Sequence, residues 1–571
     1  MVRSIEERKD HGIFYTPPFL AEYLAKKFFI YAKKKAVYSV LDPACGDGEL
    51  LSAITKQNVG HAKLDLVGTD NDTTVSEEIK TKLFDGGTPK KRFTFISVDS
   101  LNPFSLDPDS GWLEIKNQVG VDTGFDFVIS NPPWGADLSS YPKGYLHDHF
   151  KCSRGQFDIF DLFVELIINQ LSQGGLYGLI IPDSIFNKEH SLIREILVKN
   201  TRLLLIARLG EKVFPEINRA CTVIVGKKCK YKKQDTVKCF KISAEQKKKE
   251  YSATYLEELE QENSSLILQD RFVHNEGFAF DIDVVNESEE VFRKVENKST
   301  LGCYVRLNRG AEISKKGTIT KCHNCGLWFS YPRKKNYHCP HCYATGVREE
   351  LNTISTVSSK STEGAYPLVT GSDIFRYFSR SKLFITTGFD GIKYKMSLYG
   401  SPKILIRKTG LGITSAIDYT DAVTVQCIYI LRPLLKYSRF PIELFEAILN
   451  SRFATFYFLK KYGDTEWKSH PYLTQSMLRG FPFPELEKLP ENQYSRILRL
   501  SEKIREEVRS GFAENISTKL DILVERMVAE LYKLNKEDYV TILDGINKAD
   551  QLIPIKRVNN LSVQQIFNDG I

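Results

Sequence analysis

The chain has 571 residues and a mass of 65.3 kDa, enough for three or four folding units at about 150 residues each and too long for one small binding module. Hydrophobic residues at 42%, charged residues at 26% and aromatics at 12% exclude both a disordered chain and a membrane bundle. Seventy-nine Lys and Arg against 71 Asp and Glu leave a net charge of +8, which by itself points only weakly to a polyanionic partner. No run approaches the roughly 18–20 apolar residues of a spanning helix, and the start, MVRSIEERKD, has no apolar signal run. A cytoplasmic protein with no membrane partner is therefore expected. Eleven cysteines, an odd number, argue against a disulfide framework.

In chain order, the first 228 residues alternate short β-rich runs with amphipathic stretches. AVYSVLD (36–42), DLVGTD (65–70), FTFISVD (93–99), FDFVISN (125–131), LYGLIIP (176–182), TRLLLIARLG (201–210) and ACTVIVGKK (220–228) predict seven strands. Between them, residues 158–173 carry Phe160, Phe163, Val164, Ile167, Ile168 and Leu171 at helical spacing, with two glycines as the expected stop. Such alternation predicts a doubly wound α/β sheet whose ligand crevice lies at the carboxyl ends of the strands.

The residues at those ends are informative. The first strand runs into Asp42-Pro-Ala-Cys-Gly-Asp-Gly48, a turn before the helix-like GELLSAI. Its glycines let backbone approach a ligand, yet it is neither the GxGxxG of dinucleotide sites nor a Walker loop. Asp70 ends the second strand, where an acidic residue can accept both hydroxyls of a ribose. Asp99 ends the third, and Asn131-Pro132-Pro133-Trp134 the fourth. Three acidic strand ends beside a glycine turn suit a cationic nucleoside cofactor better than a pyrophosphate.

DPACGDG, Asp70, Asp99 and above all NPPW resemble the S-adenosylmethionine-dependent DNA amino-methyltransferases, specifically the adenine-N6 enzymes. GIFYTPPFLAEYLAKKF (12–28) is similar to their YTP motif, which lies near the methionine end of the cofactor. Its position ahead of the glycine motif resembles the gamma-class arrangement. The resemblance implies a seven-stranded Rossmann-like catalytic domain over residues 1–230. It further implies cofactor binding by Tyr15, Thr16, Pro17, Asp42, Ala44, Gly46, Gly48, Asp70, Asp99 and Asn131, and a catalytic set of Asn131, Pro132, Pro133, Trp134 and Phe214. Phe214, within LGEKVFPEINRACTVIV (209–225), matches the aromatic of the family's motif VIII.

The chemistry gives NPPW its expected task. An exocyclic amine conjugated to a purine is a poor nucleophile, and hydrogen bonds from its N–H groups to the Asn131 side-chain oxygen and the Pro132 carbonyl would localise its lone pair. Successive prolines hold those acceptors rigidly. The base must leave the helix at a cost of a few kcal/mol, and stacking on Trp134, with Phe214 as a second platform, would recover about 1–3 kcal/mol. NPP-type motifs also serve enzymes that methylate protein glutamine or ribosomal RNA, so an RNA or protein-glutamine methyltransferase is an alternative, as is a catalytically inactive DNA-binding scaffold. N4-cytosine enzymes more often resemble SPPY, so Asn131 favours adenine.

Residues 231–300 are expected to form a linker or spacer. Ten lysines between Lys227 and Lys249, interrupted by TVKCFKIS, suit either a lysine-protected edge strand or a phosphate-contacting surface. Cys322-His-Asn-Cys325 and, thirteen residues on, Cys339-Pro-His-Cys342 have the spacing of a closed structural zinc site, a zinc ribbon over 322–342. Arg333, Lys334 and Lys335 between the knuckles are candidate DNA contacts. YPLVTGSDIFRYFSR (366–380), PKILIRKTGLGITSAID (402–418), LFEAILNSRFATFYF (444–458) and RGFPFPEL (479–486) resemble, in that order, a target-recognition region. An α+β recognition domain over 301–490 is thus expected, with Arg376, Arg407 and Lys408 as candidate base readers. Apolar spacing at Leu520, Leu523, Val524, Met527, Val528 and Leu531 predicts a packing helix within a helical C-terminal region, 491–571.

The expected activity is site-specific methylation of adenine N6 in double-stranded DNA, with S-adenosylmethionine as cofactor and a structural zinc, in a restriction-modification or anti-phage system. No PD...ExK nuclease signature follows the recognition region, so a separately encoded restriction endonuclease or defence-system subunit is the expected partner.

Overall fold

A computed structural model of the chain describes residues 15–568, apart from 59–61, 85–90, 143, 215–218, 244–245, 285–286, 297–298, 312–316, 333, 393, 411, 463–472, 511–514 and 551–559. It divides into two units, Met1–Val285 and Asn286–Ile571.

In the first unit, helices α1 (Pro18–Tyr31), α2 (Glu49–Gln57), α3 (Ser76–Phe84), α4 (Pro108–Val119), α5 (Ile159–Gln170), α6 (Ser191–Asn200) and α7 (Ala253–Asn263) are interleaved with nine strands. These are β1 (Val37–Asp42), β2 (Lys63–Asp70), β3 (Lys91–Ser97), β4 (Phe125–Ser130), β5 (Leu171–Pro182), β6 (Arg202–Gly210), β7 (Cys221–Lys227), β8 (Thr236–Lys241) and β9 (Ser265–Leu268). All nine join one sheet in the order β3-β2-β1-β4-β5-β7-β6-β8-β9. The first five in that order run parallel, and β7 lies antiparallel between β5 and β6. From Gly175 to Pro182, β5 carries Leu176, Leu179, Ile180 and Ile181 fully or almost fully buried, as a strand covered on both faces must be. The chain leaves β1 for β2 and β3, then returns to β4 on the other side of β1. Their connections therefore diverge, opening a crevice at their carboxyl ends.

Three expectations are corrected here. The sheet has nine strands, not seven. Within the expected linker, residues 236–268 extend the sheet: β8 pairs with β6 and β9 with β8, so the lysine-flanked TVKCFK is an interior strand and β9 is the edge. Helix α7 returns to α1, where the Tyr23 hydroxyl donates to Glu260 at 2.7 Å and Lys27 pairs with the same carboxylate. Finally, α5 ends at Gln170 rather than at the glycines, because Leu171 turns extended and pairs with Phe125.

The second unit holds β10 (Val305–Arg309), β11 (Thr318–Lys321), β12 (Trp328–Ser330), β13 (Asn336–His338), β14 (Thr345–Val347), β15 (Thr353–Ser355), β16 (Val357–Ser358), β17 (Ala365–Val369), β18 (Leu383–Thr386), β19 (Lys403–Arg407), β20 (Ser415–Asp418), β21 (Val423–Thr424) and β22 (Ile428–Pro433). Two four-stranded sheets, β10-β22-β19-β20 and β16-β18-β17-β21, share a core of Leu368, Ile385, Leu405, Val423 and Ile430. The smaller sheets β12-β11-β15 and β13-β14 bracket the four cysteines of the two CxxC pairs. Its longer helices after the sheets are α8 (Ile442–Leu449), α9 (Arg452–Tyr462), α10 (Glu491–Ser510), α11 (Thr518–Tyr532) and α12 (Lys536–Asp550). The helical C-terminal region is not a separate body; it belongs to the same unit as the sheets. Among the described residues, no helix is long and apolar enough to cross a membrane.

Candidate active site

The glycine turn between β1 and α2 is built by local hydrogen bonds. Ala44 N donates to Asp42 Oδ1 at 3.1 Å, Gly48 N to the Cys45 carbonyl at 2.8 Å, and Gly46 N to Asp70 Oδ2 at 2.9 Å. Gly48 begins the helix in the left-handed region, φ +77°, and a Cβ there would lie 2.8 Å from Ile79, so both conformation and packing require glycine. Asp70 Oδ1 accepts from Asp72 N at 3.0 Å, so backbone groups fix its carboxylate plane from two sides.

Beside this turn, the ends of β1, β2 and β4 surround a cavity of about 340 Å³. Tyr15, Thr16, Asp42, Ala44, Gly46, Asp70, Asp99, Asn131 and Pro133 line it, together with Leu50, Val75, Val98, Ile159 and Phe163 as apolar wall. Its charged lining is wholly acidic among the described residues: Asp42, Asp47, Glu49, Asp70, Asp72, Asp99 and Asp137. Lys82, outside the lining, pairs with Asp47 at 2.8 Å and Glu49 at 3.0 Å. Asp42 is 1% exposed, and its Oδ2 has no hydrogen-bond partner. Burial pushes its carboxyl up to about 8, against the opposing effects of the Ala44 N–H and the Ser130 hydroxyl. Together the carboxylates along this lining make the cavity the electrostatic complement of a cation.

Asn131 Nδ2 donates to Thr16 Oγ1 at 3.1 Å. That bond sets the plane of the amide that follows β4. Asp99 Oδ1 accepts from Leu101 N at 2.9 Å, and the Tyr141 phenol lies against the same carboxylate. Burial first, then Asp99, hold that phenol above its ordinary range.

Of the expected cofactor residues, Pro17 and Gly48 do not line the cavity; they begin α1 and α2. Pro132, Trp134 and Phe214 do not line it either. Trp134 and Phe214 are 1% and 2% exposed and meet edge to face, centroids 5.2 Å apart at 79°, a preferred aromatic packing. The expectation of Trp134 as an open stacking platform is therefore corrected: in this conformation the two rings bury each other. Phe163 and Tyr141 were not identified as site residues from the sequence. Phe163 reads as one more apolar position of an amphipathic helix, and Tyr141 has no local signal at all.

The four cysteines Cys322, Cys325, Cys339 and Cys342 converge, their sulfurs all within 4.8 Å of one another. Cys322 and Cys342 lie 3.7 Å apart, Cys325 and Cys339 3.8 Å. Lys334 and Lys335 are exposed between β12 and β13, while Arg333 lies outside the described residues. Arg407 ends β19 half-buried with Lys408 after it.

Arg376 is a correction. Instead of facing a groove it is 4% exposed, donating to Asp521 at 2.6 Å and to the Asn450 carbonyl at 3.0 Å. Arg452 joins it, pairing with Asp521 and Glu525 at 3.0 Å each. The two acids stand one turn apart on α11 and leave Arg376 no role at a base edge.

The profile of the N-6 DNA Methylase family matches residues 3–306, more than half of the chain, and that of the TaqI-like C-terminal specificity domain matches residues 366–483. Among curated relatives, Type II methyltransferase M.BanIII of Aneurinibacillus aneurinilyticus is 27% identical over 231 residues, covering 37% of this chain and 38% of that protein. Type II methyltransferase M.AccI of Acinetobacter calcoaceticus is 28% identical over 229 residues, covering 39% and 38%. The chain thus aligns with well under half the length of either. Among solved structures, the Type IIL restriction-modification enzyme MmeI, determined in complex with DNA, is similar in fold with a TM-score of 0.53 at 12% identity, over 96% of this chain and 81% of that one. On the match over residues 3–306, this chain belongs to the N-6 DNA Methylase family.

Proposed function

We propose that the chain methylates N6 of adenine at specific sites in duplex DNA, with S-adenosylmethionine as methyl donor, as the modification enzyme of a restriction-modification or anti-phage system. The observation that carries this reading is the Asn131 amide, oriented by Thr16 at 3.1 Å, on the wall of a cavity whose charged lining is acidic.

The lining fits the cofactor. The acidic lining that includes Asp42 suits its cationic methionine end, Asp70 suits a ribose diol, and Asp99 suits an adenine amine, with Phe163, Ile159 and Val98 as apolar walls. The absence of any basic side chain from the described lining disfavours a pyrophosphate. When bound, S-adenosylmethionine supplies an electrophilic methyl group on a sulfonium that departs as a neutral thioether. The Asn131 side-chain amide oxygen and the Pro132 backbone carbonyl accept hydrogen bonds from the target amine and concentrate its lone pair toward that methyl. Pro132 and Pro133 restrict the backbone that carries both acceptors, so orientation is set before the base arrives. One N–H proton passes to solvent as the N–C bond forms.

For the second unit we propose target recognition and a structural zinc. Four thiolates at about 2.3 Å from a tetrahedral zinc stand about 3.8 Å apart, which agrees with the 3.7 and 3.8 Å separations of the cysteine pairs. The exposed Lys334 and Lys335, and Arg407 with Lys408, are the proposed DNA contacts.

The test is to offer tritiated cofactor with duplex DNA, RNA and protein mixtures. Label is expected at adenine N6 of duplex DNA, and Asn131→Ala should lower the rate by at least about 100-fold, the scale for losing one oriented group that acts in the transition state. Label only in RNA or protein, or an unchanged rate in Asn131→Ala, overturns the reading.

A further inference from the structure

The peptide that leaves the Asn131–Trp134 turn is gripped at both ends. The Trp134 carbonyl accepts from Arg219 Nη1 at 3.3 Å, and the Gly135 N–H donates to Asp158 Oδ1 at 2.8 Å. Gly135 has φ +68°, and a Cβ there would stand 3.1 Å from the Arg219 guanidinium. Glycine is therefore needed twice, for its conformation and for the close approach of the arginine. Asp158 is itself held in place. It directly precedes α5, its N–H donates to Asp161 Oδ2 at 2.9 Å, and the buried Asp161 engages His190 Nδ1 at 2.7 Å.

The need for such a grip follows from the backbone. Proline rings fix φ at positions 132 and 133, whereas ψ of Trp134 and φ of Gly135 are soft torsions flanking a planar peptide. Rotation of that one plane would swing the end of the turn. A carboxylate on its N–H and a guanidinium on its carbonyl are charge-assisted bonds, and they define the plane from opposite sides. Neither Asp158 nor Arg219 lines the cofactor cavity.

We propose that Asp158 and Arg219 are positioning residues that clamp the Trp134–Gly135 peptide and thereby hold the amine-binding turn in its reactive geometry. The inference rests on the reading of that turn given under Proposed function. It distinguishes Asp158 from an ordinary helix-start residue, since its side chain acts across 23 positions of sequence on the turn itself.

The test compares Asp158→Ala, Asp158→Ser, Asp158→Asn and Arg219→Ala in the full chain. Displacing a reacting group by about 1 Å can cost about 100-fold, so Asp158→Ala and Arg219→Ala should lower kcat by 10- to 100-fold with cofactor KM within about twofold. Asp158→Ser keeps a helix-capping oxygen but is too short to span to Gly135; it should keep the wild-type melting temperature and lose kcat like Asp158→Ala. Asp158→Asn, whose amide oxygen still accepts, should recover most of the rate. Hydrogen–deuterium exchange of the peptide over residues 131–137 should quicken in Asp158→Ala and Arg219→Ala. Wild-type kcat and exchange in both, or a kcat loss in Asp158→Ala that Asp158→Ser and Asp158→Asn both repair, would overturn the clamp. If the wild-type chain methylates no duplex DNA, the functional reading fails, and the exchange measurement alone decides the clamp.

Discussion

Asp42 offers a quantitative test of the cofactor site, through the pH dependence of binding. Burial pushes its carboxyl up to about 8, so at pH 7 about one molecule in ten carries the charge and at pH 6 about one in a hundred, each unit being a factor of ten. A cation bound in the cavity that Asp42 lines selects the ionised form. Affinity for S-adenosylmethionine should therefore rise about twentyfold between pH 6 and 7.5, a range in which the ligand's own ammonium stays mostly protonated, and binding at pH 7 should release close to one proton. Asp42→Asn removes both charge and titration. Its affinity should be flat over the same range and at least about tenfold weaker than wild type at pH 7.5, with the two converging near pH 6. Stability should move the other way. A carboxyl whose folded value lies above its unfolded value stabilises at low pH, and that contribution is lost as pH rises through about 8. Without cofactor, Asp42→Asn should consequently melt above wild type at pH 9. Calorimetric titration in two buffers of different ionisation heat measures affinity and proton release together. Wild-type binding that is flat with pH and releases no proton, or Asp42→Asn with wild-type affinity at pH 7.5, would refute the argument.

Three further outcomes follow from the second unit. Metal analysis should find about one equivalent of zinc, lost in Cys339→Ser together with a lower melting temperature, because a four-thiolate site contributes its binding energy to folding; no zinc in the wild-type chain defeats the assignment. Arg376→Ala leaves Asp521 and Glu525 short of one partner in a buried cluster and should destabilise by about 3–5 kcal/mol in urea unfolding. The methylated sequence, read by modification-sensitive sequencing, should stay the same, and a changed target would restore Arg376 as a base reader. Replacing both exposed lysines, Lys334 and Lys335, by Ala should reduce the slope of log affinity against log salt by about two on duplex DNA; an unchanged slope removes that loop from the DNA surface.

Residues close together in the chain were legible before any fold was known. The turn from Asp42 to Gly48, the acidic strand ends Asp70 and Asp99, and the Asn131–Trp134 turn each declare themselves through local chemistry, since a strand end and a turn need only their own few residues to be recognised. The spacing of Cys322, Cys325, Cys339 and Cys342 is similarly informative, because two CxxC knuckles bring paired donors close whatever surrounds them. What the sequence by itself determined was therefore a family, a crevice at the strand ends and a four-cysteine cluster.

Long-range packing decided the rest. An arginine in RYFSR reads the same whether it faces a groove or an acid on a helix 145 positions away, and only the tertiary structure sends Arg376 to Asp521. Trp134 and Phe214 each read as platforms for stacking a base, yet the two rings meet edge to face and are almost wholly buried. The strand TVKCFK carries the lysines of an edge but becomes interior because β9, some 25 residues later, pairs along it. The clamp on Gly135 joins residues 134, 135, 158 and 219, a set with no spacing that a sequence pattern could express. Turn and strand-end chemistry is encoded in neighbouring residues, whereas burial and partner choice depend on which distant surfaces meet, and only the folded chain settles that.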